Sequence, residues 1–365
     1  MKRGWCPTLH EPMQAGDGWL VRVKPSCGIL AANEALLLAE AASRFGNGAV
    51  ELTNRANLQF RGFTPETACD FADAVTALGL ALADPAAERR RNVTVSPLAG
   101  IDPAVHPETL ALARTIETRL TNDASLATLP AKFGVVVDGG GLPMNDVPGD
   151  IRVRLEGDDV LVSLVGDTAA RRCSGAQAAS IVHRLISARA FEPIARSPAT
   201  RRRTDFIGAQ PGAFGVAVMF GAMNAALLRH VAEIATRHGD GTIRLTAWRA
   251  LLLPDVAAGI ELGPDLIDDQ ADPRLGIAAC IGAPACPQAS VTTRHDAALL
   301  MRAGWSDIHV SGCAKGCAHP GAADVTLVGA AGRYDLVRQG RADALPWRTG
   351  LTLADVATEL REIRP

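Results

Sequence analysis

Four of the eight cysteines in this chain fall into two close pairs. Cys280 and Cys286 stand in Ala279-Cys280-Ile281-Gly282-Ala283-Pro284-Ala285-Cys286-Pro287. Cys313 and Cys317 stand in Ser311-Gly312-Cys313-Ala314-Lys315-Gly316-Cys317-Ala318-His319-Pro320. The spacings are C-x5-C and C-x3-C. Four thiolates aimed at one point suit an iron–sulfur cubane, which handles electrons singly. The neighbours are Gly, Ala, Pro and Ser, small enough for backbone N–H groups to approach the sulfurs and tune them. Structural zinc is the main rival, but it prefers two to four residues between paired cysteines, and C-x5-C exceeds that. A disulfide framework needs an oxidising compartment. Inert buried cysteines do not ordinarily come as two glycine-wrapped pairs. Cys280, Cys286, Cys313 and Cys317 are therefore read as ligands of a [4Fe-4S] cluster. Cys6, Cys27, Cys69 and Cys173 lack paired spacing and are expected to be small buried hydrophobes.

Composition narrows the setting. A chain of 365 residues fits two or three domains. Its 48% apolar and 21% charged residues are ordinary for a globular enzyme. A net charge of −2 gives no global pull toward nucleic acid or an anionic membrane, so an anionic ligand must meet a local cluster of Arg and Lys. Aromatics at 4% are too few for a single-strand stacking surface. The start, Met1 to Pro7, has charge without an apolar stretch behind it and does not read as a secretory signal. The longest nearly apolar run, Gly212 to Leu228, contains Asn224 and falls short of a spanning helix. We expect a cytoplasmic protein with neither a nucleic-acid nor a membrane partner. No Gly-x-Gly-x-x-Gly follows a strand, and Gly139-Gly140-Gly141 reads as a turn. Reducing equivalents are thus expected through a separate reductase.

The elements that must hold the cysteines show a repeat. Ala39-Glu40-Ala41-Ala42-Ser43-Arg44-Phe45-Gly46 matches Ala232-Glu233-Ile234-Ala235-Thr236-Arg237-His238-Gly239, at an offset of 193 residues, and the match runs on to Leu52-Thr53 and Leu245-Thr246. Each copy reads as a helix stopped at Gly, a turn, then a strand, continued as Asn54 to Phe60 and Ala247 to Leu253. So long a period means one duplicated unit, with halves related by a pseudo-two-fold. Pro198 to Arg203 reads as the link, its three arginines as a solvated run. Further helices are expected over 110–120, 176–185 and 292–303, and strands over 133–137, 150–164 and 307–310. The mixture argues for α+β layers. The helix and strand between the two cysteine pairs can return the second loop to the first.

The paired cysteines and the duplication resemble the sulfite and nitrite reductase superfamily. Leu52 to Phe60, Arg91 to Gly100 and Leu129-Pro130-Ala131-Lys132-Phe133 resemble its arginine strand, second basic segment and lysine segment. The resemblance implies ferredoxin-like half-domains over 1–85 and 201–265, an α+β domain over 86–200, and a second α+β domain carrying the [4Fe-4S] cluster over 266–365. In that family the cluster sits against a sirohaem, and the last cysteine bridges to the haem iron. Sulfite reductases place two lysines around the phenylalanine, whereas here Lys132-Phe133 precedes Gly134, which thins the cationic cage a small oxyanion needs.

Gly4-Trp5-Cys6-Pro7, Pro12-Met13, Gly16 to Arg22, Leu245-Thr246-Ala247-Trp248-Arg249 and Leu253-Pro254-Asp255 resemble one branch of the superfamily, which acts in aerobic cobalamin synthesis. That resemblance implies oxygen-dependent hydroxylation and lactone formation on precorrin-3A, with dioxygen as co-substrate. It also implies a non-haem iron, whose ligands the residues do not identify; His309 and His319 lie near the cluster loops, but a lone His is more often structural. A metal-free ring offers Cys317 no iron to bridge. Such a ring carries several carboxylates, which Arg binds bidentately. The expected contacts are Arg55, Asn57, Gln59 and Arg61, on one face of an alternating strand, with Arg91 and Lys132. A solvated sheet face is the alternative, and Arg89 and Arg90 are expected to be solvated charges. Two other functions stay open: a sirohaem-dependent nitrite or sulfite reductase, and a non-catalytic iron–sulfur electron-transfer or tetrapyrrole-binding protein.

Overall fold

The computed structural model describes residues 6–167, 169–188 and 203–363, so most of the expected link, Pro198 to Arg202, lies outside the described residues. The repeat is exact in its elements. Strand Ile29–Ala31, helix Ala32–Phe45 and strand Ala49–Leu52 recur as Ala222–Asn224, Ala225–His238 and Thr242–Leu245. Backbone detail recurs too. Cys27 and Phe220 both take positive φ, 54° and 60°, as do Ala56 and Arg249, 53° and 59°. The glycines that stop the helices are needed for close approach. A Cβ on Gly46 would lie 2.5 Å from the Arg61 carbonyl oxygen, and one on Gly239 2.5 Å from that of Pro254.

The halves exchange strands. The first sheet orders Met13–Ala15, Gly18–Val23, Leu58–Phe63 and Ala49–Leu52, and closes with Ala222–Asn224 from the second repeat. The second orders Gly208–Gln210, Ala213–Val218, Ala250–Pro254 and Thr242–Leu245, and closes with Ile29–Ala31 from the first. One shared core holds Val21, Leu38, Phe60, Val216, Leu228 and Leu253 together. Phe60 and Phe63 stack at 5.0 and 4.9 Å on Phe71. Each such buried side chain contributes roughly 1.5–3 kcal/mol.

Two further five-stranded sheets share a topology. Strands Val93–Val95, Val135–Asp138 and Ile151–Glu156 run parallel, then Asp159–Leu164 and Arg171–Cys173 antiparallel. Strands Ile277–Ala279, Ile308–Ser311 and Ala323–Ala330 run parallel, then Arg333–Gly340 and Arg348–Leu351 antiparallel. Helix Thr293–Arg302 connects the first two strands of the latter sheet.

The two exchanged sheets differ on their outer faces. Ala213, Ala217, Ala250 and Leu252 of the second sheet join the apolar core of the 93–187 domain. The corresponding row of the first sheet is polar: Arg22 pairs in register with Gln59, and Gln59 with Glu51. That face looks toward the domain bearing Cys280 and Cys317. Among the described residues, no helix is long and apolar enough to cross a membrane.

Several expectations shift here. Residues 53–57 form a turn, closed by Thr53 N–H donating to the Asn57 carbonyl at 3.0 Å, so the strand starts only at Leu58. Likewise Ala247 to Arg249 form a turn before the strand Ala250–Pro254. Arg90 is buried, its guanidinium donating to the Leu120 and Thr121 carbonyls. Arg89 is half-buried against Glu11. Arg203 stacks on Trp248, 4.6 Å from the ring centre, and pairs with Asp205. Cys27 and Cys173 are buried as expected, but Cys69 is exposed on its helix and Cys6 half-buried.

Candidate redox site

Strand direction brings the two cysteine loops together. Cys280 leaves the carboxyl end of Ile277–Ala279, and Cys313 that of the parallel neighbour Ile308–Ser311, so both loops open on one edge. The Gly312 N–H donates to the Cys280 sulfur at 3.2 Å. In the first loop the Cys286 N–H donates to the Gly282 carbonyl at 2.8 Å. Gly282 has φ +71°, and a Cβ there would lie 2.5 Å from the Thr293 hydroxyl, which itself donates to the Cys280 carbonyl. Gly316, φ +60°, turns the second loop between Cys313 and Cys317. Burial first, and then Cys280, Cys313 and Cys286 within electrostatic reach, push the Cys317 thiol upward. None of the eight cysteines is in a disulfide. Among the described residues no three His, Cys, Asp or Glu donors close around a single metal ion. A cubane spreads its thiolates over four irons, so two cysteine loops opening on one sheet edge, with a backbone N–H on the Cys280 sulfur, fit it.

Both half-domains clamp these loops. The Gly16 N–H donates to the Ala285 carbonyl at 2.9 Å, and a Cβ on Gly16 would lie 1.9 Å from the Pro284 oxygen. Arg61, 3% exposed, forms a bidentate pair with Asp17 at 2.9 and 2.8 Å, reaches Glu51 at 3.3 Å, and donates to the Ala285 carbonyl at 3.2 Å. Arg294 pairs with the same Glu51. Burial works to raise the Glu51 carboxyl, but the guanidinium groups of Arg294 and Arg61 outweigh it and the net shift is downward. From the second half-domain, Arg249 donates to the Cys317 carbonyl at 3.0 Å.

The expected substrate contacts divide. Arg55 and Asn57 lie on the 53–57 turn rather than on a strand, so the one-face row of four does not form. Arg55 donates to the Lys132 carbonyl, which joins the two basic segments. A Cβ on Gly134 would come within 3.3 Å of the Arg55 guanidinium, so Gly134 stands where a second cation would crowd it. The Lys132 side chain is exposed and Asn57 buried. Gln59 bridges Arg22 and Glu51 at 3.1 and 2.8 Å. Arg91 is buried, bidentate to Glu88 at 2.9 and 3.0 Å and bonded to the Leu80 carbonyl. Arg61 and Arg91 thus act inside the protein.

Lys24 was missed by the sequence reading. Its ammonium is buried and donates to the Glu88 carbonyl at 3.0 Å. Burial lowers it to about 7, resisted by Glu88 and reinforced by Arg91, Arg22 and Arg55. Lys24 thus lies within electrostatic reach of three guanidinium groups, those of Arg91, Arg22 and Arg55. Its signal was the alternation of Arg22 and Lys24 at the end of the strand Gly18–Val23. His309, 1% exposed, has neither ring nitrogen bonded. Burial, then His319 and Arg249, push it down to about 3. His319 meets it edge-on at 5.7 Å.

Comparison with known proteins agrees with the fold. Residues 11–78 and 208–259 match the nitrite/sulfite reductase ferredoxin-like half domain. The chain is 32% identical to a precorrin-3B synthase from Sinorhizobium sp over 95% of its length and 85% of that protein's. It is 23% identical to a ferredoxin–nitrite reductase from Synechococcus elongatus over 91% of its length and 80% of the relative's. The solved structure of the Mycobacterium tuberculosis NirA protein superposes with a TM-score of 0.68, at 17% identity, over 94% of this chain and 79% of that one.

Proposed function

We propose that this chain carries out the precorrin-3B synthase reaction, and the premise is kinship: the chain belongs to the precorrin-3B synthase branch of the nitrite and sulfite reductase superfamily. Its relatives are enzymes, and it is an enzyme of the oxidoreductase kind. The finer reading is oxygen-dependent hydroxylation of precorrin-3A with lactone formation, using electrons from a separate reductase. Of each dioxygen, one atom would enter the ring and the other leave as water, taking two electrons and two protons. The observation that carries the reading is the meeting of the two cysteine loops at one sheet edge, beside a polar, arginine-rich sheet face.

Cys280, Cys286, Cys313 and Cys317 would hold a [4Fe-4S] cluster, and that cluster when bound would supply electrons one at a time. Gly312 N–H steadies the Cys280 sulfur. Arg61 and Gly16 hold the first loop, and Arg249 the second. For the substrate we retain Arg55 and Lys132 as direct carboxylate contacts. Gln59 and Asn57 would orient them, while Arg61 and Arg91 would keep the surrounding frame rigid. The carboxylates would exchange water for fixed guanidinium and ammonium donors, and ring orientation follows from which carboxylates are met. For the non-haem iron, a facial triad needs two His and a carboxylate. His309 and His319 find no third donor among the described residues, so we assign no ligands and derive no step through it.

The test is an ultraviolet–visible spectrum of anaerobically purified protein, with iron and acid-labile sulfide assayed on the same sample, followed by incubation with precorrin-3A, reductant and dioxygen. Broad cluster absorption, iron in excess of sulfide and an oxygenated product support the proposal. Sharp sirohaem bands with nitrite or sulfite turnover assign it instead to the reductases. Binding of the ring without oxygen-dependent change leaves a non-catalytic tetrapyrrole-binding protein.

A further inference from the structure

Arg249 occupies a backbone site that both repeats preserve and only one loads with a charge. Its φ of 59° is left-handed, as is the 53° of Ala56, its counterpart 193 positions earlier. A non-glycine residue held there is conformationally disfavoured. Each is packed against a glycine: Gly28 beside Ala56, and Gly221 beside Arg249. A Cβ on Gly221, itself at φ +67°, would lie 2.8 Å from the Arg249 Cβ and 3.2 Å from its Cδ, so Gly221 clears the path of the side chain. In the first half this position ends in a methyl group. In the second it sends a guanidinium across the domain boundary to the Cys317 carbonyl at 3.0 Å.

The charge at its tip has no direct ion-pair partner among the described residues; Glu51 acts on it only through space. Among the described residues Arg249 has no carboxylate within salt-bridge distance, whereas its neighbours Arg61 and Arg294 share Glu51. Burial works against the charge; Glu51, Cys317 and Cys280 lie within its electrostatic reach and favour it, while Arg294 opposes it. A guanidinium stays protonated throughout the accessible pH range, so the charge is permanent. A half-buried site with reduced dielectric makes such a charge felt by neighbours more strongly than in water.

We propose that Arg249 is a positioning residue that fixes the Cys317 loop and supplies the standing positive charge against which the cluster is reduced. The inference rests on the four-cysteine reading above. On reduction one electron enters from the donor, no bond breaks and no proton moves, and the cluster with its four thiolates becomes more negative by one charge. A fixed cation beside it favours the reduced state and raises the potential.

The experiment is a redox titration of the full-length, anaerobically purified protein, followed by electron paramagnetic resonance of the reduced cluster. Wild type is compared with Arg249→Lys and Arg249→Gln. Gln keeps a hydrogen-bond donor and removes the charge. The expected result is a ratio of reduced to oxidised cluster at least tenfold lower in Arg249→Gln at a fixed solution potential, a shift of about 59 mV for one electron. Arg249→Lys should stay within about threefold of wild type. Equal potentials in all three, even with less iron per chain, overturn the charge role and leave a loop anchor only. Should Arg249→Gln not retain a cluster, Glu51→Gln decides: removing that carboxylate should move the ratio at least tenfold in the opposite direction, and no movement overturns the proposal. A wild-type protein without a four-iron signal is a separate outcome, which defeats the four-cysteine reading itself and this inference with it.

Discussion

Arg61 and Ala285 lie 224 positions apart in the chain, and the guanidinium of the first donates to the carbonyl of the second at 3.2 Å. Ala285 immediately precedes Cys286, so a strand of the first repeat holds a loop of the last domain. Arg61 also neutralises Asp17 and shares Glu51 with Arg294. Replacing it with methionine would leave Asp17 without its bidentate partner and Glu51 with Arg294 as its remaining cation. Breaking a buried pair from one side costs about 3–5 kcal/mol. Arg61→Met should therefore lower unfolding stability by about that amount in urea titration, and should lower iron and sulfide per chain. A loss below about 1 kcal/mol would show that the pair is solvated in practice.

Gly16 gives a more local test of the same clamp. A Cβ at this position would sit 1.9 Å from the Pro284 oxygen, which is backbone and cannot swing aside. Gly16→Ala should displace the first cysteine loop and reduce iron and sulfide loading by half or more. The control is Gly175→Ala, where an added Cβ meets nothing within 4 Å. Equal loading in the two variants would mean that the loop accommodates the shift.

Lys24 makes stability depend on pH. Its folded value is lowered to about 7 from 10.5, so between those values the unfolded chain binds more protons than the folded one. Stability then rises with pH across that window and, for this group, is lowest below about 7, where both states are charged and the folded state bears the full burial cost. Urea titrations between pH 7 and 9 should show a positive slope that Lys24→Met flattens. An unchanged slope in the variant would assign it to other groups.

Arg55 and Lys132 should separate binding from stability. Losing one charge-assisted hydrogen bond costs about 1.5–3 kcal/mol, roughly tenfold or more in affinity. Arg55→Gln and Lys132→Gln are expected to weaken binding of the tetrapyrrole by that factor, read by fluorescence or absorbance titration. Arg91→Gln should instead lower stability, because its partner Glu88 is fully buried. Loss of affinity in Arg91→Gln without loss of stability would return Arg91 to the binding surface.

Local pattern was enough for the duplication, because a helix, its stopping glycine and the following strand are encoded within a few turns of chain. It was enough for the cysteine pairs as well, since spacing and small neighbours are properties of a loop, and the parallel strands Ile277–Ala279 and Ile308–Ser311 carry them to one edge as the intervening helix implied. Local pattern failed at residues 53–57. There Arg, Asn and Gln alternate as they would on a strand, but the left-handed Ala56 and the Thr53–Asn57 hydrogen bond make a turn. The exchange of Ile29–Ala31 and Ala222–Asn224 was also hidden, because pairing partners a whole repeat apart leave no mark on either strand. The charges were decided last of all. Arg61, Arg91, Lys24 and Arg249 look alike in sequence, as cations beside apolar residues. Their roles depend on which carboxylate or carbonyl the fold delivers to each, and those partners lie as far away as Ala285 and Cys317. An arginine facing a buried Glu88 becomes structure, whereas Arg249 reaches the Cys317 carbonyl instead of a carboxylate, and only the tertiary arrangement separates the two.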